Sequence, residues 1–276
     1  MKLLCLALLL APLFTYAFEP LNTDDVGTVK AGGNQIEQYF FSINRQGGSQ
    51  QADIITAGEE YTGRTDAKAF PFTYTRGFSD QVEASIAMTY FNEPSGNYSK
   101  FSNYVLASKW RFFEDEQQGY ALAIKPTLVL PAGKKQQVAG LGLAAVNYGV
   151  NFIASKYWDS VELHMNMMYM RAPYNTNYSV GLSSDPNRIN IFVVSVAPVW
   201  SICKDFKIAL DIGATTNPPS TEQYLSHYAL IAGIYSITEN IDLGFSYMRT
   251  GMNYSETFAS QQAGATRSEV GITWRF

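Results

Sequence analysis

The sequence predicts an all-β fold, an antiparallel transmembrane β-barrel of about 12 strands with short periplasmic turns and long extracellular loops. Apolar and polar residues alternate with a period of two in segment after segment, as they do in half-buried strands. Charged residues make up 16% of the 276 residues, well below the roughly 25% of soluble proteins. No apolar run beyond the N-terminus approaches the roughly 20 residues that a membrane-spanning helix needs. These observations exclude a helical membrane protein.

Residues 1–17 are organised as a cleavable signal peptide. Lys2 provides a short basic region, an apolar stretch follows as far as Phe14, and small residues precede a cleavage position after Ala17. The alternative is a transmembrane anchor, but the stretch is too short to cross a bilayer. We therefore expect the protein to be exported.

The remaining chain divides into two unequal parts. Residues 18–34 form a short periplasmic N-terminal segment in this interpretation, and residues 35–276 form the outer-membrane β-barrel. Because residues 18–33 are too few to fold alone, no separate plug domain is expected.

The strand pattern is clearest at the C-terminal end, where apolar side chains from Val270 to Phe276 occupy alternate positions. The pattern recurs in segments of about 10–14 residues, close to the roughly 9–11 that a tilted strand needs to cross a bilayer. Segments 141–156 and 188–202 are the least distinct, because they are apolar or small on both faces. The predicted strands are 35–44, 68–77, 81–92, 102–113, 118–130, 141–156, 159–171, 188–202, 205–215, 225–237, 239–250 and 266–276.

The connections between these segments alternate between short and long. Tight periplasmic turns and longer extracellular loops alternate in this way in bacterial outer-membrane barrels. The sheet has to close because hydrocarbon offers no hydrogen-bond partner to an unpaired strand edge. The predicted location is therefore the bacterial cell outer membrane. The long connections fall near 45–67, 93–101, 131–140, 172–187, 216–224 and 251–265.

Aromatic residues and the end of the sequence point to the same location. Tyr, Phe and Trp gather toward segment ends, where the interface girdles of such barrels lie. Ile272, Trp274 and Phe276 share one face of the last strand, and we interpret them as the signal that the barrel-assembly machinery recognises. The expected partners are this machinery, outer-membrane lipid and a small-molecule solute.

Four pieces of the sequence carry a family resemblance: Asn22–Thr28, Leu128–Gly133, Ile237–Gly244 and Gly271–Phe276. With them the mature chain resembles the outer-membrane transporter family labelled "MetA-pathway of phenol degradation". The resemblance implies a transporter associated with the degradation of aromatic compounds. It carries no established catalytic or binding residues, so none is transferred.

The polar faces of the strands are expected to line the lumen. A barrel of about 12 strands lies between small filled barrels and wide porins, so we expect a narrow pore for small solutes. Lys109, Arg111 and Lys125 form a basic strip on two neighbouring strands, which favours small anions such as aromatic carboxylates. The alternative is that the inward charges pair with one another and plug the barrel. The lumen-lining candidates are Glu83, Lys109, Arg111, Lys125, Glu162, His164, Asp211, Asp242, Arg267, Glu269 and Arg275.

Two other functions are weighed against a channel. An outer-membrane phospholipase needs a serine activated by an oriented histidine, but His164 points inward and neither it nor His227 has the surroundings of such an enzyme. A structural or adhesive surface barrel would act through its loops, where Asn-Tyr-Ser recurs at Asn97, Asn177 and Asn253. We predict a channel without catalytic residues.

Composition limits the remaining partners. The formal net charge is -4 and the isoelectric point is near 5.3, whereas nucleic-acid binding needs concentrated positive charge. No group of His, Cys or carboxylate residues has the spacing of a metal site. We expect no nucleic acid, metal or cofactor, and the sequence leaves the oligomeric state open.

Overall fold

The period-two segments form twelve antiparallel strands among the described residues of the computed structural model. The structure describes residues 20–45, 66–93, 96–133, 135–136, 144–171, 190–216, 225–252 and 265–276. The strands are β1 (Asn34–Arg45), β2 (Asp66–Ser79), β3 (Val82–Glu93), β4 (Val105–Asp115), β5 (Tyr120–Val129), β6 (Asn147–Tyr157), β7 (Val161–Arg171), β8 (Asn190–Cys203), β9 (Phe206–Thr216), β10 (Leu225–Thr238), β11 (Ile241–Met252) and β12 (Ala265–Arg275).

Each strand pairs with its neighbours in sequence, and β1 pairs with β12, which closes the barrel. The pairing runs from Gln35 opposite Arg275 to Arg45 opposite Ala265. The predicted barrel is therefore confirmed. The largest difference in a boundary is at β6, which begins at Asn147 instead of residue 141. That segment is apolar or small on both faces, so its pattern does not mark where pairing begins.

The two faces of the wall differ sharply in exposure. On β4, Trp110 is 52% exposed while the neighbouring Lys109 is 1% exposed; on β7, Met167 is 62% exposed while His164 is fully buried. Large apolar side chains therefore cover the outside and polar side chains fill the inside. This is the arrangement of a barrel whose exterior meets hydrocarbon.

The connections give the barrel two different ends. Tight turns join β2 to β3, β4 to β5, β6 to β7, β8 to β9 and β10 to β11 at one end, which we call the turn end. Asn34 and Phe276 are hydrogen-bonded to each other at the same end, with N–O distances of 2.8 and 2.9 Å. The opposite, loop end carries the remaining connections. The predicted loops at 45–67, 172–187, 216–224 and 251–265, and the predicted signal peptide at 1–17, fall largely or wholly outside the described residues.

Part of the inner wall is apolar. Ala197, Val199, Ala209, Leu230 and Ala232 from β8, β9 and β10 are buried together inside the barrel. Elsewhere the inner wall combines charged side chains with smaller apolar clusters, such as Ala121, Ala123 and Ile153. We call the part formed by β8 to β10 the apolar side and the part around Lys109 and Lys125 the charged side. In the described ranges, no helix has the length and apolar character needed to cross a membrane.

Candidate functional site in the barrel lumen

Residues 20–29 lie inside the barrel, and residues 30–33 connect them to β1 across the rim at the turn end; we call residues 20–33 the collar. From residue 33 back to residue 20 it contacts first β2 and β3, then β4 to β7, and finally β8 to β12. The sequence analysis assigned residues 18–34 to the periplasm and expected no plug, so the described part of this segment corrects that prediction. The segment does not need to fold alone, because side chains of the lumen bind its backbone groups.

The collar leaves the wall at the turn end, where it passes very close to β2. The Gly32 amide donates to the Gly77 carbonyl at 2.9 Å. A side chain at Gly77 would overlap the backbone carbonyl oxygens of Val29 and Lys30. Glycine is therefore needed at position 77 because only its bare backbone lets the collar turn inward here.

The adjacent part of the collar is tied to the β2–β3 hairpin. The Val29 amide donates to a carboxylate oxygen of Glu83 at 2.7 Å, and the Thr28 hydroxyl donates to the Asp80 carbonyl at 2.7 Å. Glu83 is 6% exposed and points inward, as the sequence analysis expected. This carboxylate therefore binds the collar and does not face an open pore.

Asp24 lies between two lysines of the predicted basic strip. Its Oδ1 accepts from Lys109 at 2.9 Å and its Oδ2 accepts from Lys125 at 2.7 Å. Burial disfavours the charged carboxylate, but the attraction of Lys109 and Lys125, together with their hydrogen bonds, lowers the pKa of Asp24 far below its usual value. Asp24 is therefore ionised at neutral pH and forms an ion pair with each lysine.

Lys109 also binds the collar backbone. Its ammonium group donates to the carbonyls of Asp25 and Gly27 at 3.1 and 2.8 Å in addition to Asp24. Glu83 lies 3.5 Å away. A lysine has three donors, so these bonds to the collar use all of them. Burial raises the pKa of Asp25 in spite of the nearby Lys109.

The side-chain amide of Asn166 on β7 binds both backbone groups of Asp24, as a neighbouring strand would bind them in a sheet. Its Nδ2 donates to the carbonyl of Asp24 at 2.6 Å, and its Oδ1 accepts from the Asp24 amide at 3.0 Å. Asn151 on β6 donates to the same Oδ1 at 2.7 Å. Two backbone groups of one collar residue are thus satisfied by a single side-chain amide.

Asp211 on β9 holds the next part of the collar. Its Oδ2 accepts from the amides of Asn22 and Thr23 at 2.7 and 2.8 Å. Its Oδ1 accepts from the hydroxyls of Thr23 and Tyr228 at 2.7 and 2.8 Å. Asp211 is fully buried, so four donors replace the water that its carboxylate loses.

The far end of the collar contacts the apolar side of the lumen and the last two strands. Leu21 packs into the cluster that contains Ala197 and Leu230. The Asn22 side chain accepts from Arg267 at 2.9 Å and lies 3.3 Å from the sulfur of Met248. The collar is therefore fixed to opposite sides of the barrel by different kinds of contact.

Three wall residues next to the collar, Ser155, His164 and Glu162, contact one another in sequence. The Ser155 hydroxyl lies 2.8 Å from Nδ1 of His164, and Nε2 of His164 lies 3.4 Å from Glu162. Ser155 also accepts from the Val26 amide at 3.3 Å, and Lys207 donates to Glu162 at 2.5 Å. These residue types occur in hydrolases, but here His164 is fully buried and the hydroxyl binds the collar. The chain of contacts positions the collar.

The other inward charges pair within the wall or lie at its rim. Arg275 contacts Asp242 at 2.7 Å and Arg267 contacts Glu269 at 3.3 Å. Arg111 lies at the turn end, where it donates to the Asp80 carbonyl at 2.7 Å. Of the predicted basic strip, only Lys109 and Lys125 therefore contact Asp24. The three residues interpreted as an assembly signal, Ile272, Trp274 and Phe276, are exposed on the outside, and their role stays a prediction.

The collar packs tightly against the inner wall at its own height. Thr23 and Val26 are each 1% exposed, and the wall residues facing them include His164 and Asp211, which are fully buried. Side chains beside a water-filled pore would stay accessible to water. The near-absence of exposure on both sides therefore indicates that collar and wall pack against each other. Within the described ranges, no group of three or more His, Cys, Asp or Glu side chains is placed to hold a metal ion.

Comparison with known proteins places the chain in a family. A family profile described as "Putative MetA-pathway of phenol degradation" matches residues 24–264. The chain belongs to this family. The match begins at Asp24, inside the collar. The resemblance predicted from sequence is thereby confirmed. No curated protein sequence matches this family member.

Solved structures share its fold at low sequence identity. An outer-membrane channel from Pseudomonas putida F1 aligns with a TM-score of 0.61 and 11% identity, covering 91% of this chain and 98% of the other. The NanC porin gives 0.56 and 12%, covering 86% and 98%. A channel described as the CymD monoaromatic hydrocarbon channel gives 0.51 and 8%, covering 90% and 89%. This member of the MetA-pathway family therefore has the fold of outer-membrane channels.

Proposed function

We propose that the protein is an outer-membrane channel for small solutes, and that the collar closes its lumen until it is displaced. The observation that carries this proposal is the packing of residues 20–29 against inward-facing side chains. Family membership and the shared channel fold support a location in the outer membrane. The turn end then faces the periplasm and the loop end faces the outside of the cell.

The collar is suited to move because it continues into a strand of the wall at its C-terminal end, residue 33, where β1 follows. It joins the wall at β1, and the rest is bound by hydrogen bonds, by ion pairs of Asp24 and Asp25, and by apolar contacts of Leu21 and Val26. Such bonds exchange with water bonds at a modest net free energy of about 1 kcal/mol each. Displacement of the collar toward the periplasm would open the lumen while the strand ladders stay intact.

The lumen between the collar and the loop end favours amphiphilic solutes. Lys125 lies opposite Asn151, which lies opposite Met168 on β7, which lies opposite Val193 on β8. Val193 is buried with Ile191, and Met168 packs against that pair. Strands are about 4.8 Å apart, so Met168 lies roughly 10 Å and Val193 roughly 14 Å around the wall from the backbone of Lys125. An aromatic acid bound to the inward-reaching ammonium group would have its ring directed toward this apolar wall.

The proposed substrates are therefore small aromatic or anionic compounds. Aromatic carboxylates fit best, because the carboxylate can bind the ammonium group of Lys125 and the ring can contact the apolar wall. The family description refers to phenol degradation, and one structural neighbour is described as a monoaromatic hydrocarbon channel. These descriptions are consistent with an aromatic solute.

A disulfide between the collar and the wall tests the proposal. The Thr23 and Ser195 hydroxyl oxygens are 2.8 Å apart, so Thr23→Cys with Ser195→Cys brings two thiols together. Cys203, which is exposed in the β8–β9 turn, is changed to Ser in the same chain. The full-length protein is reconstituted in liposomes, and swelling is measured with small solutes before and after reduction.

The oxidised protein is expected to show little flux, and reduction is expected to restore the flux of the wild type. The single variant Thr23→Cys, treated identically, shows whether the oxidant itself changes the flux. Equal flux in the oxidised and reduced double variant would exclude the collar as the gate. A complete lack of flux in every form would favour a structural or adhesive barrel.

A further inference from the structure

The two lysines that hold Asp24 stand directly opposite each other in the wall. The pairs Ala107–Thr127 and Trp110–Ile124 bracket them on β4 and β5, which places Lys109 opposite Lys125. Both side chains point inward. Like charges at directly opposite positions of a sheet destabilise it, so this pair needs an anion between its ammonium groups.

Asp24 is that anion in the closed barrel. Its two carboxylate oxygens are divided between the lysines, one at 2.9 Å from Lys109 and one at 2.7 Å from Lys125. The lysines belong to the wall, whereas Asp24 belongs to the collar. If the collar leaves, Glu83, which lies opposite Lys109 on β3, stays in the wall and offsets one of the two lysines. One positive charge is then left for another anion.

We propose that Lys109 and Lys125 form a carboxylate-binding site on the solute path, that Asp24 is its internal ligand, and that a solute carboxylate replaces Asp24 as the channel opens. This inference rests on the proposed channel function and specifies how the collar is released. The exchange conserves charge, because one carboxylate takes the place of another. A neutral solute of the same shape cannot make that replacement.

The two lysines have different parts in the exchange. Lys109 is 1% exposed and gives its donors to the collar, whereas the Lys125 side chain is 31% exposed and forms its ion pair in the described structure with Asp24. A solute carboxylate therefore meets Lys125 first. It competes for one side of Asp24 before the buried contacts of Lys109 are broken.

The environment limits the charge of the solute. Glu83 lies 3.5 Å and Asp25 lies 4.0 Å from the Lys109 ammonium group. A dianion would add negative charge beside these carboxylates, whereas a monocarboxylate leaves the total unchanged. The site is thus matched to small monocarboxylates.

The test of the exchange site compares two solutes that have the same aromatic ring but differ in charge. The full-length protein is placed in a planar bilayer, and open probability is recorded with benzoate or with neutral benzamide added on the loop-end side. Benzoate is expected to raise the open probability of the wild type, and benzamide is expected to leave it unchanged. Lys125→Gln is expected to weaken the response to benzoate roughly tenfold, as the loss of one charge-assisted hydrogen bond predicts.

Asp24→Asn separates this proposal from a general loosening of the barrel. It removes the internal carboxylate, so the channel is expected to open without benzoate and to become more anion-selective. Asp115→Asn is the matched control, because Asp115 ends β4 at the turn end, away from the collar, and accepts a hydrogen bond from the Gln118 amide. This control is expected to respond to benzoate as the wild type does.

Equal responses to benzoate and benzamide, or a full benzoate response in Lys125→Gln, would overturn the exchange site. The disulfide experiment remains a separate test of the channel itself. If reduction restores flux while the two solutes act alike, the collar is the gate and the carboxylate exchange is wrong. If no variant conducts, the channel function fails.

Discussion

The two sides of the lumen hold the collar by different physical means. On the charged side, Lys109 and Lys125 bind Asp24 through ion pairs. On the apolar side, Leu21 packs against Ala197 and Leu230 beside the buried Asp211. Ion pairs with a partly exposed partner exchange with dissolved ions, whereas apolar contacts do not. If the collar is the gate, we therefore expect its release to begin on the charged side and to end on the apolar side.

Removal of the Asp211 carboxylate is expected to have the largest effect. Asp211→Ala leaves the Asn22 and Thr23 amides without their acceptor, and each buried unsatisfied donor costs about 1–3 kcal/mol. The ratio of closed to open channel should fall by roughly two orders of magnitude or more. Single-channel recording in planar bilayers measures this ratio. Asp211→Asn keeps one acceptor oxygen and should have a clearly smaller effect; equal effects would contradict the assigned role.

Lys109→Met is expected to have the second largest effect on the open fraction. The substitution keeps much of the side-chain volume but removes three hydrogen bonds to the collar, with a loss of about 2–4 kcal/mol. The open fraction should rise at least tenfold. Lys68→Met is the matched control, because Lys68 and its partner Glu93 are both nearly half exposed. An unchanged open fraction in Lys109→Met would show that Lys109 does not hold the collar.

Leu21→Ala tests the apolar side. Truncation of a buried leucine removes packing worth about 2 kcal/mol or more, so the open fraction should again rise. The decisive feature is the salt dependence: the effect should be the same at low and high salt, because apolar contacts are not screened. A Leu21→Ala effect that disappears at high salt would contradict the division of the lumen into two sides.

Lys125→Gln, measured without added solute, is expected to have the smallest effect. The side chain is 31% exposed, so solvent screening limits its ion pair to about 1 kcal/mol or less. The increase in open fraction should shrink as salt approaches about 1 M, where the screening length falls to about 3 Å. A change in open fraction as large as that of Lys109→Met would contradict the conclusion that Lys109 contributes more than Lys125 to holding the collar.

The sequence was sufficient to predict the wall because the wall follows local rules. Alternation with a period of two identified the strands and placed Lys109, His164 and Asp211 on the inward face. At β6 the same rule failed, since residues 141–146 are small or apolar at every position. Where both faces of a segment have the same polarity, alternation cannot show where the strand begins.

The collar was not predicted because nothing in its own pattern requires a lumen. Residues 20–33 show no periodicity, and their partners are distant in sequence: Asp211 is 188 residues from Thr23. Two signals could have found it. Asp24 and Asp25 stand in the motif that carries the family resemblance. The strip of Lys109, Arg111 and Lys125 also carries more positive charge than Glu83 on the neighbouring predicted strand can offset.

The most direct test of the account is the single-channel conductance of a chain that lacks residues 20–31. The strands, turns and outer face remain, and only the segment that packs inside the lumen is removed. We predict a barrel that is continuously open, with a conductance severalfold above that of the wild type. A conductance and an open fraction equal to those of the wild type would contradict the claim that the collar closes the lumen.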